Sequence, residues 1–202
     1  MMQLRETAHP PVSHLVTGHF REQSGYSTWR SLGTRDWLLI FTASGLGRFG
    51  YRGGQFIARR GDLVLLSPGT VHDYGVEDSL KRWELIWTHF YPRSHWHELL
   101  NWPAISPGLF AIRLQAEADI DLFESMMLEM HRLANSAARL SEMLAMNALE
   151  RVLLECDAHN PLSSQAQLDP RIRRAMEFVC ANLAAEHTIP GLVDAVVAHF
   201  SA

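Results

Sequence analysis

The chain has 202 residues, 47% of them hydrophobic and 20% charged, with a formal net charge of -4 at pH 7. That is enough for one well-buried core, or for one domain plus part of another, and crowded for two. The cations are nearly all arginines scattered along the sequence, so no basic face offers itself to a phosphate backbone and a self-sufficient DNA binder is not indicated.

The first twenty residues lack the hydrophobic segment of a secretory signal, and no apolar run approaches the ~20 residues of a bilayer span. Cys156 and Cys180 have neither metal-knuckle nor CxxC spacing, so buried free thiols in a reducing cytoplasm, with no membrane partner, are the expectation.

Residues 1–13 read as an N-terminal arm: Met1 to Pro11 is polar and contains proline, and stays mobile unless something docks it. From His14 to about Phe90, β-rich runs alternate with glycine: Trp37 to Phe41, Leu46 to Tyr51, Gln55 to Ala58, Asp62 to Leu66 and Trp83 to Phe90. Gly53-Gly54 suits a tight hairpin and Ser67-Pro68-Gly69 another turn. Many short strands with no helix between them predict an antiparallel barrel, or jelly roll.

After Pro107 the period changes. Ile120, Phe123, Met127 and Met130 recur at helical spacing, and Leu122, Met126 and Leu133 widen the stripe. A second helix is predicted from about Ala137 to Asp157. Leu140, Leu144, Asn147 and Leu154 lie on one side of it, with Met143, Met146, Leu149 and Leu153 on others. So much apolar surface needs cover on two sides, and a second chain is the natural cover. An asparagine in such a stripe either sets coiled-coil register or sits in solvent; spacing alone leaves both open.

The domain is thus expected to span 14–160. Residues 161–168 read as a linker because the sequence from Asn160 is polar and aperiodic. Asp169-Pro170 then caps a helix carrying Ile172, Ala175, Met176, Val179 and Leu183, and Thr188-Ile189-Pro190 starts another. The fold class is α+β: an antiparallel barrel, a helical hairpin, and a partial all-α segment over 169–202.

Within the barrel, period two places Trp83, Leu85, Trp87 and His89 on one strand face. Two indoles there either stack on the C–H face of a sugar or simply fill the core. Arg30 and Tyr74 are candidate polar partners; taken singly, they read as a surface cation and a half-buried turn residue. Metal-binding barrels of the cupin type need three or four ligands. Here Gly45 to Gly61 contains no histidine and His72 stands alone, so no metal ligand is assigned. His95 and His97 lack the i, i+4 spacing of a helical metal pair and are read as structural. There is no Gly-x-Ser-x-Gly elbow, no cysteine beside a base and no phosphate loop, hence no catalytic residue and no cofactor.

Gly61-Asp62, Pro68-Gly69, His72, Tyr74-Gly75, Pro92-Arg93 and the string Trp96-His97-Glu98 to Asn101-Trp102-Pro103 resemble the AraC family of transcription regulators, from about His14 to about Val193. The resemblance implies a cupin-like barrel holding a small sugar effector such as L-arabinose, covered by the N-terminal arm. It also implies a homodimer formed through an antiparallel helix pair, with DNA as a partner only in a full-length form and arabinose redistributing the arm. Residue by residue, Arg30 and Tyr74 match sugar-contacting positions and Trp87 matches the stacking indole. Leu85 departs from a sugar-bonding histidine, and a polar contact near Phe20 is missing. Leu144, Asn147 and Leu154 fall on the family's dimer helix, and Leu140, on the same side, joins them as a dimerisation candidate.

The chain stops about where a first recognition helix would begin, so it reads as a fragment or truncated product, for which a dominant-negative dimerisation partner is one role. The rival reading from another class is a cupin-like sugar isomerase or epimerase.

Overall fold

The computed structural model describes residues 6–165. The chain divides into two units, Met1–Pro161 and Leu162–Ala202. The expected helices of 169–202, the end of the 161–168 linker and Cys180 lie outside the described residues.

Nine strands come first: β1 Leu15–Gln23, β2 Ser27–Arg30, β3 Trp37–Tyr51, β4 Gly54–Arg59, β5 Asp62–Leu66, β6 His72–Val76, β7 Arg82–Phe90, β8 Ala104–Ser106 and β9 Leu109–Arg113. A 3-10 helix, Ser94–Leu100, separates β7 from β8. The helices are α1 Glu117–Ala134, α2 Ser141–Ala158 and the short α3 Pro161–Gln165, which occupies the start of the expected linker with proline at its first position.

All strand pairs are antiparallel. One sheet runs β1-β7-β3-β5-β9-β8; the other consists of β2, β6, β3 and β4. Strand β3 belongs to both: residues 37–45 pair with β5 and β7, and residues 46–51 with β4 and β6. The two runs expected as separate strands are therefore one 15-residue strand. It crosses between the sheets at a bulge between Thr42 and Ser44, followed by Gly45 at φ 75°. A Cβ on Gly45 would lie 2.2 Å from the Arg82 carbonyl oxygen, so this corner requires glycine. The expected antiparallel cupin-like jelly roll is present, with its sheets left open and not closed into a barrel. Among the described strands β3 alone joins the sheets, giving an open cupin-like sandwich whose corner is made by one bent strand.

Residues 37–41 of β3 and 63–66 of β5 are continuously apolar because the first sheet is covered on both faces. Leu38, Ile40, Val64, Leu66 and Leu85 point between the sheets, while Leu39, Phe41, Leu63, Leu65 and Ile86 pack against the helices. Helix α1 buries Ile120, Phe123, Met126, Met127 and Met130 as its period predicts. Leu122, expected in the same stripe, is exposed. Helix α2 starts four residues later than predicted, with Leu140 at its N-cap and not inside it.

The segment after Pro107 forms β9 before any helix begins, because Gly108 at φ 80° turns the chain back on itself. Five residues are too few to show which period applies. Cys156 is buried and free, and burial pushes its thiol well up. No helix among the described residues is long and apolar enough to cross a membrane.

Candidate functional site

Strands β2, β6 and β7 bring the expected site residues to the space between the sheets. Arg30 and His72 are direct cross-strand partners, and Tyr74 faces Thr28 two residues along. Arg30 is buried, against the reading of it as a surface cation, and Tyr74 is buried rather than half-buried. A buried guanidinium needs partners, and it has three contacts. Its Nη1 donates to His72 Nδ1 at 2.9 Å, and its Nε and Nη2 donate to the Ala8 carbonyl at 3.3 and 3.0 Å.

Those last bonds belong to the arm. Its docking condition is met over residues 6–8: the Thr7 amide donates to the Trp29 carbonyl at 2.7 Å, and the Trp29 amide donates back to the Thr7 hydroxyl at 3.0 Å. The Ser31 amide and hydroxyl both donate to Glu6 Oε1 at 3.0 Å. At the root of the arm, Ser13 Oγ and His14 Nδ1 reach Glu142 Oε1 on α2, at 2.9 and 2.8 Å. The arm is thus tied to the arginine of the interior at one end and to the dimer-helix candidate at the other.

The face Trp83, Leu85, Trp87, His89 forms as its alternation predicts, but its members divide in role. Trp83 fills core: it is packed by Phe49 and Tyr74, and its Nε1 donates to Thr42 Oγ1 at 3.1 Å. Leu85 is fully buried and brings no polar atom. Trp87 stands apart, edge-on to Phe20 at 5.4 Å and to His89 at 5.6 Å. Gly18 lies opposite it on β1, and a Cβ there would sit 2.5 Å from the indole. Trp87 holds its position because that neighbour has no side chain.

Sequence reasoning gave no site role to three further groups. Buried His89 bonds through Nδ1 to Asp36 Oδ1 at 2.7 Å, and its ring stands 5.9 Å from that of His72. The signal for both histidines was their alternation with Trp87 and Tyr74 on one face; Asp36, in a turn, gave none. Burial, with the neighbouring Arg30 and His89, pushes the His72 imidazole down to about 3. Burial also lowers His89, outweighing the upward pull of Asp36. Burial works to raise the Asp36 carboxyl, but its hydrogen bonds to His89 and Thr34 hold it below the usual carboxylate range.

Both imidazoles are therefore neutral near neutral pH, which decides the donor pattern. Arginine only donates, so His72 Nδ1 is the acceptor and the ring proton sits on Nε2. Three buried side-chain polar atoms lack a partner among the described residues, and two of them are here: His72 Nε2 and Trp87 Nε1. Both are N–H donors. Leaving them unmatched costs about 1–3 kcal/mol each, so the interior is set up to receive oxygen acceptors beside an indole edge. Among the described residues no group of three or more histidine, cysteine or acidic side chains could hold a metal ion.

On α2, Leu144 and Leu154 are 45% and 55% exposed, and Leu140 and Met143 are exposed as well. Asn147 is exposed, and its Oδ1 accepts from Arg93 Nη2 at 2.9 Å within the chain. His95, expected to be structural, meets Glu150 at 2.6 Å.

Residues 14–154 match the family model described as the AraC-like ligand binding domain. The chain is 34% identical over 177 residues to the arabinose operon regulatory protein of Escherichia coli, covering 85% of this chain and 60% of that one. It is 34% identical over 181 residues to the protein of the same name from Salmonella typhimurium, covering 87% and 63%. It thus spans about three fifths of the length of these curated relatives. Among solved structures, an apo ToxT variant from Vibrio cholerae matches with a TM-score of 0.51 at 9% identity, over 93% of this chain and 70% of that one; the likeness is one of fold. Both sequence relatives are named as regulators and not as enzymes, so the sugar isomerase or epimerase reading is not favoured. This chain belongs to the AraC family and carries its AraC-like ligand binding domain.

Proposed function

We propose that the chain is the effector-binding and dimerising part of a transcription regulator whose effector is a small uncharged sugar, with L-arabinose the first candidate. The observation that carries the reading is the pair of buried donors, His72 Nε2–H and Trp87 Nε1–H, beside Arg30 and Tyr74. A pyranose supplies what they lack: hydroxyl and ring oxygens to accept, and an apolar C–H face to lie against an indole. Phe20 and Leu85 complete an apolar boundary. The name shared by the two regulator relatives supports arabinose within this class.

Leu85 replaces the histidine that the family resemblance places there, which removes one sugar hydrogen bond worth roughly 1–3 kcal/mol. His72 Nε2–H is the donor this chain offers instead, so the preferred sugar need not be the relatives' own.

Ligand control works through the arm. Arg30 spends two of its N–H groups on the Ala8 carbonyl, so a sugar that engages the guanidinium changes the affinity of the arm for the sandwich. The exposed leucines of α2 pair two copies.

Calorimetry with L-arabinose and a panel of pentoses and hexoses tests the reading. Saturable binding of one sugar, lost in Trp87→Ala, is the expected result. Absence of binding by every sugar in the panel would refute it.

A further inference from the structure

Beside the interior set, but lined by other residues, is a cleft at the point where two paired strands separate. Strands β3 and β6 pair only over Gly47–Phe49 with Val76–Tyr74; beyond that β3 continues with β4, and β6 with β2. Where they part, a cleft of about 580 Å³ opens, within the ~300–1,000 Å³ typical of small-molecule sites. Buried Phe49, Leu66 and Leu109 form its floor, and Tyr51, Val71 and Arg52 stand on its walls and rim. None of the interior set Arg30, His72, Trp87 and His89 lines it. The two sites differ in chemistry: the interior has orphaned donors on a small polar cluster, whereas the cleft has volume and an apolar floor.

The walls are preformed. Two turns, Ser67–Thr70 and Pro107–Gly108, are clasped together: the Ser67 amide donates to the Gly108 carbonyl at 3.0 Å, and the Thr70 hydroxyl meets Ser67 Oγ at 3.0 Å and the Gly108 carbonyl at 3.3 Å. Gly108 has φ 80°, and a Cβ on it would stand 2.0 Å from Thr70 Oγ1. On the same turn, the Gly69 amide is fixed to the Thr34 carbonyl at 2.8 Å. A cleft bounded by such backbone contacts keeps its shape without a ligand, which lowers the ordering cost of binding.

The charge at the rim selects a sign. Asp73 is neutralised by Arg48, Nη2 to Oδ1 at 2.7 Å, while the exposed Arg52 has no ion-pair partner among the described residues. The local balance is one positive charge above an apolar floor.

We propose that this cleft binds a small organic monoanion with a flat apolar body, a carboxylate on Arg52 and its ring against Tyr51 and Val71 above the buried Phe49, as a second effector. Phe49 is also the link inward: its ring centroid lies 5.7 Å from that of Tyr74 and 5.6 Å from that of Trp83. Phe49 thus packs between the cleft and Tyr74 of the interior site.

An NMR titration of the 202-residue chain with phenylacetate, and with 2-phenylethanol as its uncharged counterpart, tests this. Saturable shifts are expected at residues 49–52, 67–71 and 106–109. Arg52→Gln should weaken phenylacetate about threefold to tenfold and leave 2-phenylethanol unchanged. Val71→Trp, at an exposed rim position, should abolish both by filling the cleft. No saturable shifts, shifts centred on Arg30 and Trp87, or an Arg52→Gln affinity equal to that of the parent would each overturn the proposal. Sugar binding is read at other residues, so its failure and the failure of this site are separately visible.

Discussion

Arg30 and His72 face each other across β2 and β6, with the guanidinium donating to the imidazole Nδ1 at 2.9 Å. The bond holds only while His72 is neutral, which ties folding to pH. The folded-state value of His72 is pushed down to about 3 from the ordinary 6.5. The unfolded chain therefore binds the extra proton first as pH falls. Stability from this group is complete above 6.5 and is lost progressively between 6.5 and about 3. Urea unfolding should give a stability on the order of 2 kcal/mol lower at pH 5 than at pH 7. His72→Gln, which keeps an acceptor for Arg30 and cannot titrate, should flatten that difference by at least half.

The same guanidinium fixes the arm through the Ala8 carbonyl. Arg30→Met keeps the buried aliphatic stem and removes every donor. Amide exchange at Thr7, whose N–H is bound to the Trp29 carbonyl, should then accelerate more than tenfold, while amides of β3 and β5 keep their protection. Equal protection at Thr7 in parent and variant would mean that the arm is held by Glu6 and Thr7 without help from Arg30.

Much of this arrangement was legible in residue order. The period of two from Trp83 to His89, the turn glycines and the helical stripe of α1 each carry a local signal that tertiary packing leaves intact. The joined strand β3 was not legible, because a bulge and Gly45 interrupt the apolar pattern at the corner where the strand changes sheets. Burial of Arg30 was hidden for another reason. What makes it tolerable is a carbonyl 22 residues away and a histidine 42 residues away, and no window of sequence contains them. The Asp36–His89 pair, 53 residues apart, escaped in the same way. Contacts of that range are where single-residue priors about charge and exposure fail.

Gly18 offers a test of the Trp87 position without touching the indole. Its missing side chain leaves the space that Trp87 occupies, and a Cβ there would be 2.5 Å from the ring. Gly18→Ala has to move the indole, since the β1 backbone is held by its full register with β7. Sugar affinity should fall at least tenfold with a stability loss of about 1–3 kcal/mol, the usual range for overpacking. Calorimetry and thermal unfolding on the same sample check the two halves. A variant with parental sugar affinity would place the ligand away from Trp87.

Helix α2 buries Ala145, Met146, Leu149, Val152, Leu153 and Cys156 against the sandwich side and leaves Leu140, Met143, Leu144 and Leu154 outward. Such a two-sided helix needs a second cover, and the spacing of 144 and 154 spans nearly three turns of one face. Because Asn147 Oδ1 is already engaged by Arg93, the leucines and not the asparagine should carry most of the association. Leu144→Glu with Leu154→Glu should convert a dimer to a monomer in sedimentation velocity. The change in unfolding free energy of the monomer should stay within about 0.5 kcal/mol, as for other exposed substitutions. Asn147→Ala should weaken the dimer less than either leucine change does. A chain that sediments as a monomer before any substitution would remove α2 as the dimer surface.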